Sequence, residues 1–243
     1  MFNDYSESAF IYDATLEQHF DYPAACRRIH SFIQKHHVNA KTLLDVGCGT
    51  GKHLYFLQEH YQVEGLDISP QMLKIARNRF PDIPFHEGSM LNFDLQKKFD
   101  VITCLYASLT LVKTLDNVKK AIACMVRHLT DGGILLIEPW WSPENLWEGK
   151  LISSFTDEPE LKIACMYIIR REGRLSIYDM HYMVGTPKGI KYFIEREELG
   201  LFTREEYTEA LETAGLEVSY YDTDLFPKHK YGLYIGVNNK RKS

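Results

Sequence analysis

The run Leu43-Leu44-Asp45-Val46-Gly47-Cys48-Gly49-Thr50-Gly51, followed by Gly65-Leu66-Asp67-Ile68-Ser69, constrains this chain more than any other feature. Leu43 to Val46 has the length and apolarity of a buried strand, and the glycines after it form a turn that opens a helix. A strand, glycine turn and helix whose next strand ends on an acid suits an open, mostly parallel sheet, with a ligand outside the carboxyl ends of the strands. Without Cβ atoms, Gly47, Gly49 and Gly51 let backbone amides approach that ligand. The helix start offers free N–H groups to an anion. Asp67 can accept hydrogen bonds from both hydroxyls of a ribose. The spacing is G-x-G-x-G, not the G-x-G-x-x-G of dinucleotide folds. A tight turn in an unrelated α/β protein would explain the glycines alone, but not Asp45 before them and Asp67 after them.

The flanking pattern supports an α/β chain. Strands are expected over 41–46, 63–68, 83–86, 99–105 and 134–137. Helices are expected over 7–37 with Pro23 opening a second segment, over 51–60, after the Ser69-Pro70 cap, and over 115–129. Asp131-Gly132-Gly133 reads as the turn out of the last of these. After Pro139 the texture becomes antiparallel, with strands at 161–170, 175–184 and 191–197 separated by Glu172-Gly173 and Pro187-Lys188-Gly189. Helix returns over 203–214 with a capping box between Thr203 and Glu206, and strands at 217–221 and 232–237 close the sheet. The expected division is one domain, 1–243, with an antiparallel insertion at about 151–200.

A net charge of −5 gives no electrostatic reason to expect nucleic acid, and the basic end Lys240-Arg241-Lys242 reads as a solubilising tail. The five cysteines are odd in number and form no C-x-x-C pair. No apolar run is long enough for a membrane span, and Met1-Phe2-Asn3-Asp4-Tyr5 lacks the basic and apolar regions of a secretory signal. A reducing, cytoplasmic setting is therefore expected. His36-His37 have no matching ligand pair, so no metal site is expected.

The glycine turn with Asp45 and Asp67, and the Leu129-Thr130-Asp131-Gly132-Gly133 element before an apolar strand, resemble the motifs of S-adenosylmethionine-dependent class I methyltransferases. Glu138-Pro139-Trp140-Trp141 with Pro143-Glu144-Asn145 narrows the resemblance to the nucleotide-sugar N,N-dimethyltransferases, which methylate TDP-linked amino-dideoxyhexoses. Asp4-Tyr5-Ser6, Tyr12-Asp13, Asp21-Tyr22, Leu201-Phe202-Thr203-Arg204-Glu205 and Tyr231-Gly232-Leu233 match the same group. The resemblance implies a Rossmann-like class I sheet flanked by helices, with the insertion over the acceptor side, S-adenosylmethionine as cofactor, and a homodimer. The cofactor-binding set it implies is Tyr22, Asp45, Gly47, Cys48, Gly49, Gly51, Asp67, Ile68, Met72, Ser89, Met90 and Leu105. Tyr22 would lie at the methionine carboxylate, Asp67 at the ribose and Met90 at the adenine.

On the acceptor side the resemblance implies Tyr5 facing the transferred methyl and Ser108 beside the substrate. Glu138, an acid at the end of a central strand, is a candidate for catalysis, with holding a backbone turn as its other role. Three departures from the family pattern stand out, the first at the adenine contact and the other two on the acceptor side. Ser89 stands where the family has Asp, Leu111 where some members have His, and Tyr231 where members have an Arg that helps hold the diphosphate; Lys228, His229 and Lys230 could replace that charge. Trp140 and Trp141 could simply pack under the insertion, and His53 reads as a packing or capping residue rather than a base. The absence of a candidate His favours a nitrogen acceptor, since an amine needs little help to lose its proton. A small-molecule N- or O-methyltransferase outside sugar metabolism, and a non-catalytic S-adenosylmethionine-binding protein, are the other readings.

Overall fold

The computed structural model describes residues 5, 8–16, 20–223, 225 and 231–239. Two sheets organise them. The first contains β1 (Thr42–Val46), β2 (Gln62–Asp67), β3 (Phe85–Glu87), β4 (Phe99–Cys104), β5 (Leu129–Ile137), β11 (Glu217–Tyr221) and β12 (Leu233–Val237), in the order β11-β12-β5-β4-β1-β2-β3. β3 to β5 pair in parallel through β2, β1 and β4, while β12 runs antiparallel to both β5 and β11. The chain leaves β1 outward to β2 and β3, then returns to β4 on the other flank. Adjacent β1 and β4 thus send their following loops in opposite directions, which opens a crevice at their carboxyl ends.

Period-two alternation divides the sheet's side chains between two cores. Leu43, Val101, Ile134 and Ile235 pack under α2 (Tyr22–His36), α3 (Lys52–Leu57) and α4 (Pro70–Arg79). Leu44, Val46, Ile102 and Leu135 pack under α5 (Leu115–Arg127) and α6 (Arg204–Thr213). The expected caps are present: Ser69 accepts from Met72 N, and Thr203 with Glu206 forms a reciprocal capping box. Each such cap contributes about 1 kcal/mol.

Two local expectations are corrected. The Asp131-Gly132-Gly133 segment is not a turn between a helix and a strand but a bulge within β5. Between the paired positions Phe99–Leu129 and Val101–Ile134, the single residue Asp100 on β4 faces four residues, Thr130 to Gly133, on β5. Gly132, at φ +78°, donates to Asn238 O, and Asn238 N returns a bond to Gly133 O. A Cβ on Gly133 would lie 3.0 Å from Thr130 O and 3.1 Å from Asp100 O, so the bulge needs glycine there. The helix expected over 51–60 is also shorter, ending at Leu57.

The second sheet contains β6 (Leu151–Glu158), β7 (Leu161–Ile168), β9 (Leu175–Thr186) and β10 (Gly189–Gly200), all antiparallel, with β8 (Arg170–Glu172) against the start of β9. It occupies the expected insertion, and β6 is an additional strand that the sequence pattern did not reveal. Its inner face carries Ile163, Cys165, Tyr178, Met180, Tyr182 and Val184, packed with Trp141 and Tyr231. The outer face is unusually apolar: Leu151, Phe155, Met166, Ile168, Met183, Ile190, Tyr192 and Ile194 are 45–76% exposed. Among the described residues, no helix is long and apolar enough to cross a membrane.

Candidate active site

β1 runs directly into Gly47, Gly49 and Gly51, at φ +80°, +54° and +80°. Gly47 N and Cys48 N both donate to Leu66 O, at 2.7 and 3.1 Å, which ties the turn to the end of β2. A Cβ on Gly47 would lie 2.7 Å from Ser108 Cβ, whereas one on Gly49 would meet nothing within 4 Å. The first glycine therefore admits Ser108, and the second leaves an open cradle toward solvent or ligand. Gly51 has another role: it is the left-handed N-cap of α3, packed on Phe85 and Phe80.

Asp67, at the end of β2, fastens this turn. Its Oδ2 accepts from Gly49 N and its Oδ1 from Ser69 N, both at 2.8 Å. Burial raises its pKa above the ordinary carboxyl value, opposed by hydrogen bonds from Ser69, Gly49 and Ile68 N–H. Asp45 is buried one strand away and accepts from Thr103 Oγ1 at 2.7 Å. Burial raises its pKa to about 7 despite the Thr103 bond.

The loop after β4 holds two consecutive left-handed residues, Tyr106 at φ +49° and Ala107 at φ +59°. Such backbone costs of order 1–3 kcal/mol per residue and persists where surrounding contacts fix it. Glu138 supplies one such contact: its Oε2 accepts from Tyr106 N at 2.7 Å. Thr110 Oγ1 supplies another by donating to Ala107 O at 2.6 Å. A short 3-10 helix, Ser108–Val112, follows and places Ser108 against the glycine turn, its hydroxyl 3.4 Å from Gly47 O.

The N-terminal segment closes over the crevice. In α1 (Tyr12–Leu16), Asp13 accepts from Thr50 Oγ1 at 2.7 Å and pairs with Arg79 at the end of α4. Ala14 O accepts from Thr156 Oγ1 of β6 at 3.1 Å. One helical turn thereby links the glycine turn, α4 and the insertion.

These elements enclose a cavity of about 550 Å³. The parallel sheet contributes Gly47, Gly49, Asp67, Ile68, Met72, Ser89, Met90 and Ser108 to its wall. The N-terminal segment contributes Tyr5 and Tyr12, and the insertion contributes Lys150, Tyr167, Tyr178, Tyr182 and Glu197. A smaller recess of about 40 Å³ shares Gly47, Gly49 and Ser108 with it and extends to Tyr22, Asp45, Cys48, Lys52, His53 and Leu105. Burial pushes the His53 pKa down to about 4, and its ring packs edge-on against Tyr22 at 5.1 Å. A neutral packing histidine matches the sequence expectation.

The structure thus brings Tyr5, Ser108, Asp67, Ile68, Met72, Ser89, Met90, Gly47 and Gly49 onto one cavity, and Tyr22, Asp45, Cys48 and Leu105 onto its side recess. Gly51 and Glu138 line neither. Glu138 is 1% exposed and accepts from Tyr106 N, the geometry of the turn-holding role expected as its alternative to catalysis. Tyr231 is buried against Trp140 and Trp141, with ring centroids at 5.1 and 5.8 Å, which is a packing role. Trp140 packs there too, yet also lines the cavity. Asp4, Ser6, Lys228, His229 and Lys230 lie outside the described residues.

Sequence reasoning missed Glu197, a buried acid on the cavity wall. Its partners Tyr5 and Tyr178 both donate hydrogen bonds to its carboxylate, and both phenols are held protonated by burial and by its charge. The signal is the alternation Phe193-x-Glu195-x-Glu197-x-Leu199, masked by the apolar Ile190, Tyr192 and Ile194 on the opposite face of the same strand.

Comparison with known proteins agrees with this arrangement. A methyltransferase-domain family model matches residues 43–133, which span the glycine turn through the β5 bulge. The dTDP-4-amino-2,3,4,6-tetradeoxy-D-glucose N,N-dimethyltransferase of Saccharopolyspora spinosa is 37% identical over 235 residues, 96% of this chain and 93% of that protein. The crystal structure of Streptomyces venezuelae DesVI superposes with a TM-score of 0.90 at 32% identity, covering 95% of this chain and 98% of DesVI. CalS10 of Micromonospora echinaspora, an amino pentose methyltransferase solved with S-adenosylmethionine bound, gives 0.85 at 33% identity, covering 94% and 96%.

Proposed function

The chain belongs to the S-adenosylmethionine-dependent methyltransferases that include the dTDP-amino-sugar N,N-dimethyltransferases, and from that premise we propose that it dimethylates the amine of a dTDP-linked amino sugar. The observation that carries this reading is the single cavity joining a nucleoside-type site at Gly49 and Asp67 to a polar, tyrosine-lined wall from the insertion.

The residues present fit the cofactor. Gly49 leaves the space a Cβ would fill, and a carboxylate has about four acceptor positions, so Asp67 keeps capacity for ribose hydroxyls beyond its backbone bonds. Ile68, Met72, Ser89 and Met90 would flank the adenine, Leu105 would form part of the wall, and Tyr22 with Lys52 in the side recess would receive the methionine carboxylate. Ser89 Oγ already accepts from Leu91 N at 3.3 Å, so its contact to adenine is weaker than that of an Asp. Bound S-adenosylmethionine supplies a methyl already activated on a sulfonium.

The chain's own task is positioning. Well-oriented reactants gain roughly 7–11 kcal/mol from proximity alone. Glu138 and Thr110 fix the loop that carries Ser108, and Asp13 clamps the N-terminal turn over the cavity. Lys150 is a cation on the acceptor wall, with its Nζ 3.3 Å from the Trp147 ring centroid, and it would meet the diphosphate. Leu111 makes that wall apolar where a histidine would add a base.

The protein acts as a homodimer in this reading, supported by the exposed apolar outer face of the insertion. Monomers rarely leave so large an apolar patch uncovered, and one apolar face suits a two-fold contact. A reducing cytoplasmic setting is supported by five buried, unbridged cysteines. The test compares kcat/KM for dTDP-linked amino sugars, the same sugars without nucleotide, and a panel of unrelated amines and phenols. The nucleotide-linked amines should lead by at least tenfold; a faster unrelated amine or phenol would sink the assignment.

A further inference from the structure

We infer that Glu197 binds the acceptor's amino group and takes the proton that nitrogen releases. This rests on the amino-sugar reading and assigns the residue through which the site selects an amine.

On β10, Phe193, Glu195, Glu197 and Leu199 point toward the body of the protein. Their neighbours Ile190, Tyr192 and Ile194 point out. Burying acids while exposing apolar side chains on the same strand is costly for folding alone. The register sets Glu197 directly opposite Tyr178 on β9. Of these inward β10 residues, Glu197 and Leu199 line the cavity, and Glu195 does not.

The surroundings of Glu197 fit an amine. Tyr5 and Tyr178 donate to its carboxylate. Its charge is also felt by Tyr12 of the N-terminal segment, by Cys165 and Tyr167 of β7, and by Tyr182 of β9. Glu195 is the neighbouring acid on β10 itself and is felt by Tyr5 and Tyr182 as well. These phenols and this thiol are all held protonated by burial and by the nearby negative charge, so they present hydroxyls and ring faces rather than anions. A carboxylate ringed by neutral aromatic side chains is a site for an ammonium or a primary amine. The same cavity carries Gly47 of the glycine turn and Ser108 packed against it, where the donor side begins.

The chemistry balances. The nitrogen lone pair forms the new C–N bond, the sulfonium sulfur keeps the C–S pair, and the surplus proton on nitrogen passes to the Glu197 carboxylate. Glu197 then returns that proton to solvent between turnovers, and the sequence repeats for the second methyl. A positioned base of this kind contributes about 10²–10⁴ in rate.

The test uses Glu197→Gln and Tyr178→Phe in the full chain, with S-adenosylhomocysteine bound and two acceptors, a dTDP-amino sugar and its analogue with hydroxyl in place of the amine. By calorimetry, the unaltered protein should prefer the amine by tenfold or more. Glu197→Gln should lose that preference, keep its S-adenosylhomocysteine affinity within threefold, and lower kcat at least a hundredfold. Tyr178→Phe keeps the ring and removes one donor to the carboxylate, so the acid limb of its kcat–pH profile should move to higher pH. It serves as the test if Glu197→Gln does not fold. An unaltered amine preference and kcat in Glu197→Gln, or an unmoved acid limb in Tyr178→Phe, would overturn the role of Glu197 alone. Failure of the unaltered protein to bind any dTDP-amino sugar would overturn the reading beneath it.

Discussion

Replacing Asp67 by Asn probes the site at the point where fold and ligand share one side chain. Asp67 spans the glycine turn and the start of α4 through bonds of 2.8 Å to Gly49 N and Ser69 N. An asparagine has one carbonyl oxygen, so its NH₂ must face one of those two donors. Leaving one buried N–H without an acceptor costs about 1–3 kcal/mol, which should appear as lower stability of the ligand-free protein. Binding loses something different. A hydrogen bond from a ribose hydroxyl to a carboxylate contributes roughly 1.5–3 kcal/mol, and 1.4 kcal/mol is a tenfold change in affinity. S-adenosylhomocysteine should therefore bind Asp67→Asn about 10- to 150-fold more weakly. Calorimetry with a 2′-deoxy analogue separates the two effects. The unaltered protein should favour the ribose ligand over the deoxy one, and the variant should favour it much less. Equal ribose preference in both proteins would refute the placement of the ribose at Asp67, whatever the change in stability.

Gly47→Ala should destabilise the protein by about 2–4 kcal/mol, because a Cβ would lie 2.7 Å from Ser108 Cβ on a backbone at φ +80°; adding Ser108→Gly should recover only the steric part in denaturant unfolding, and full recovery would show that the backbone conformation costs nothing. Asp45 is held at about 7 by burial, so the native state binds more protons than the unfolded chain between about pH 4 and pH 7. Its contribution to stability is present at low pH and lost as pH rises through 7, on the order of 4 kcal/mol in all. Asp45→Asn should flatten the thermal stability profile across that window, and parallel profiles would contradict the shift. Ile194→Glu, on the outer face of the insertion where Ile194 is 50% exposed, should lower the mass seen by light scattering from dimer to monomer while sparing S-adenosylhomocysteine binding; a monomer before the substitution, or a dimer after it, would remove that face from the assembly.

The geometry of the glycine turn was legible in the sequence because local rules fix it. The apolar strand, the glycines and Asp67 act through backbone geometry and a single strand end, and the structure brings them together as spaced. The caps at Ser69 and Thr203 were legible for the same reason. The insertion was harder, since its faces are decided by neighbours distant in sequence. β10 exposes Ile190 and Ile194 and buries Glu195 and Glu197, the reverse of what hydrophobic alternation suggests, and β6 exposes Leu151 and Phe155. An exposed apolar face reads like a core face, and a polar inner face reads like a surface. Glu138 is ambiguous for a related reason. A buried acid at a strand end suggests chemistry, while the contact it makes here is to Tyr106 N, whose left-handed conformation no sequence pattern announces.

The most direct test of the account is proton and carbon NMR of the product formed from [methyl-¹³C]-S-adenosylmethionine and a dTDP-amino sugar. Two labelled methyls with chemical shifts of a tertiary amine, on the sugar nitrogen, are the predicted result. A label on oxygen, a label on the base, or no transfer by the folded, S-adenosylmethionine-binding protein would contradict it.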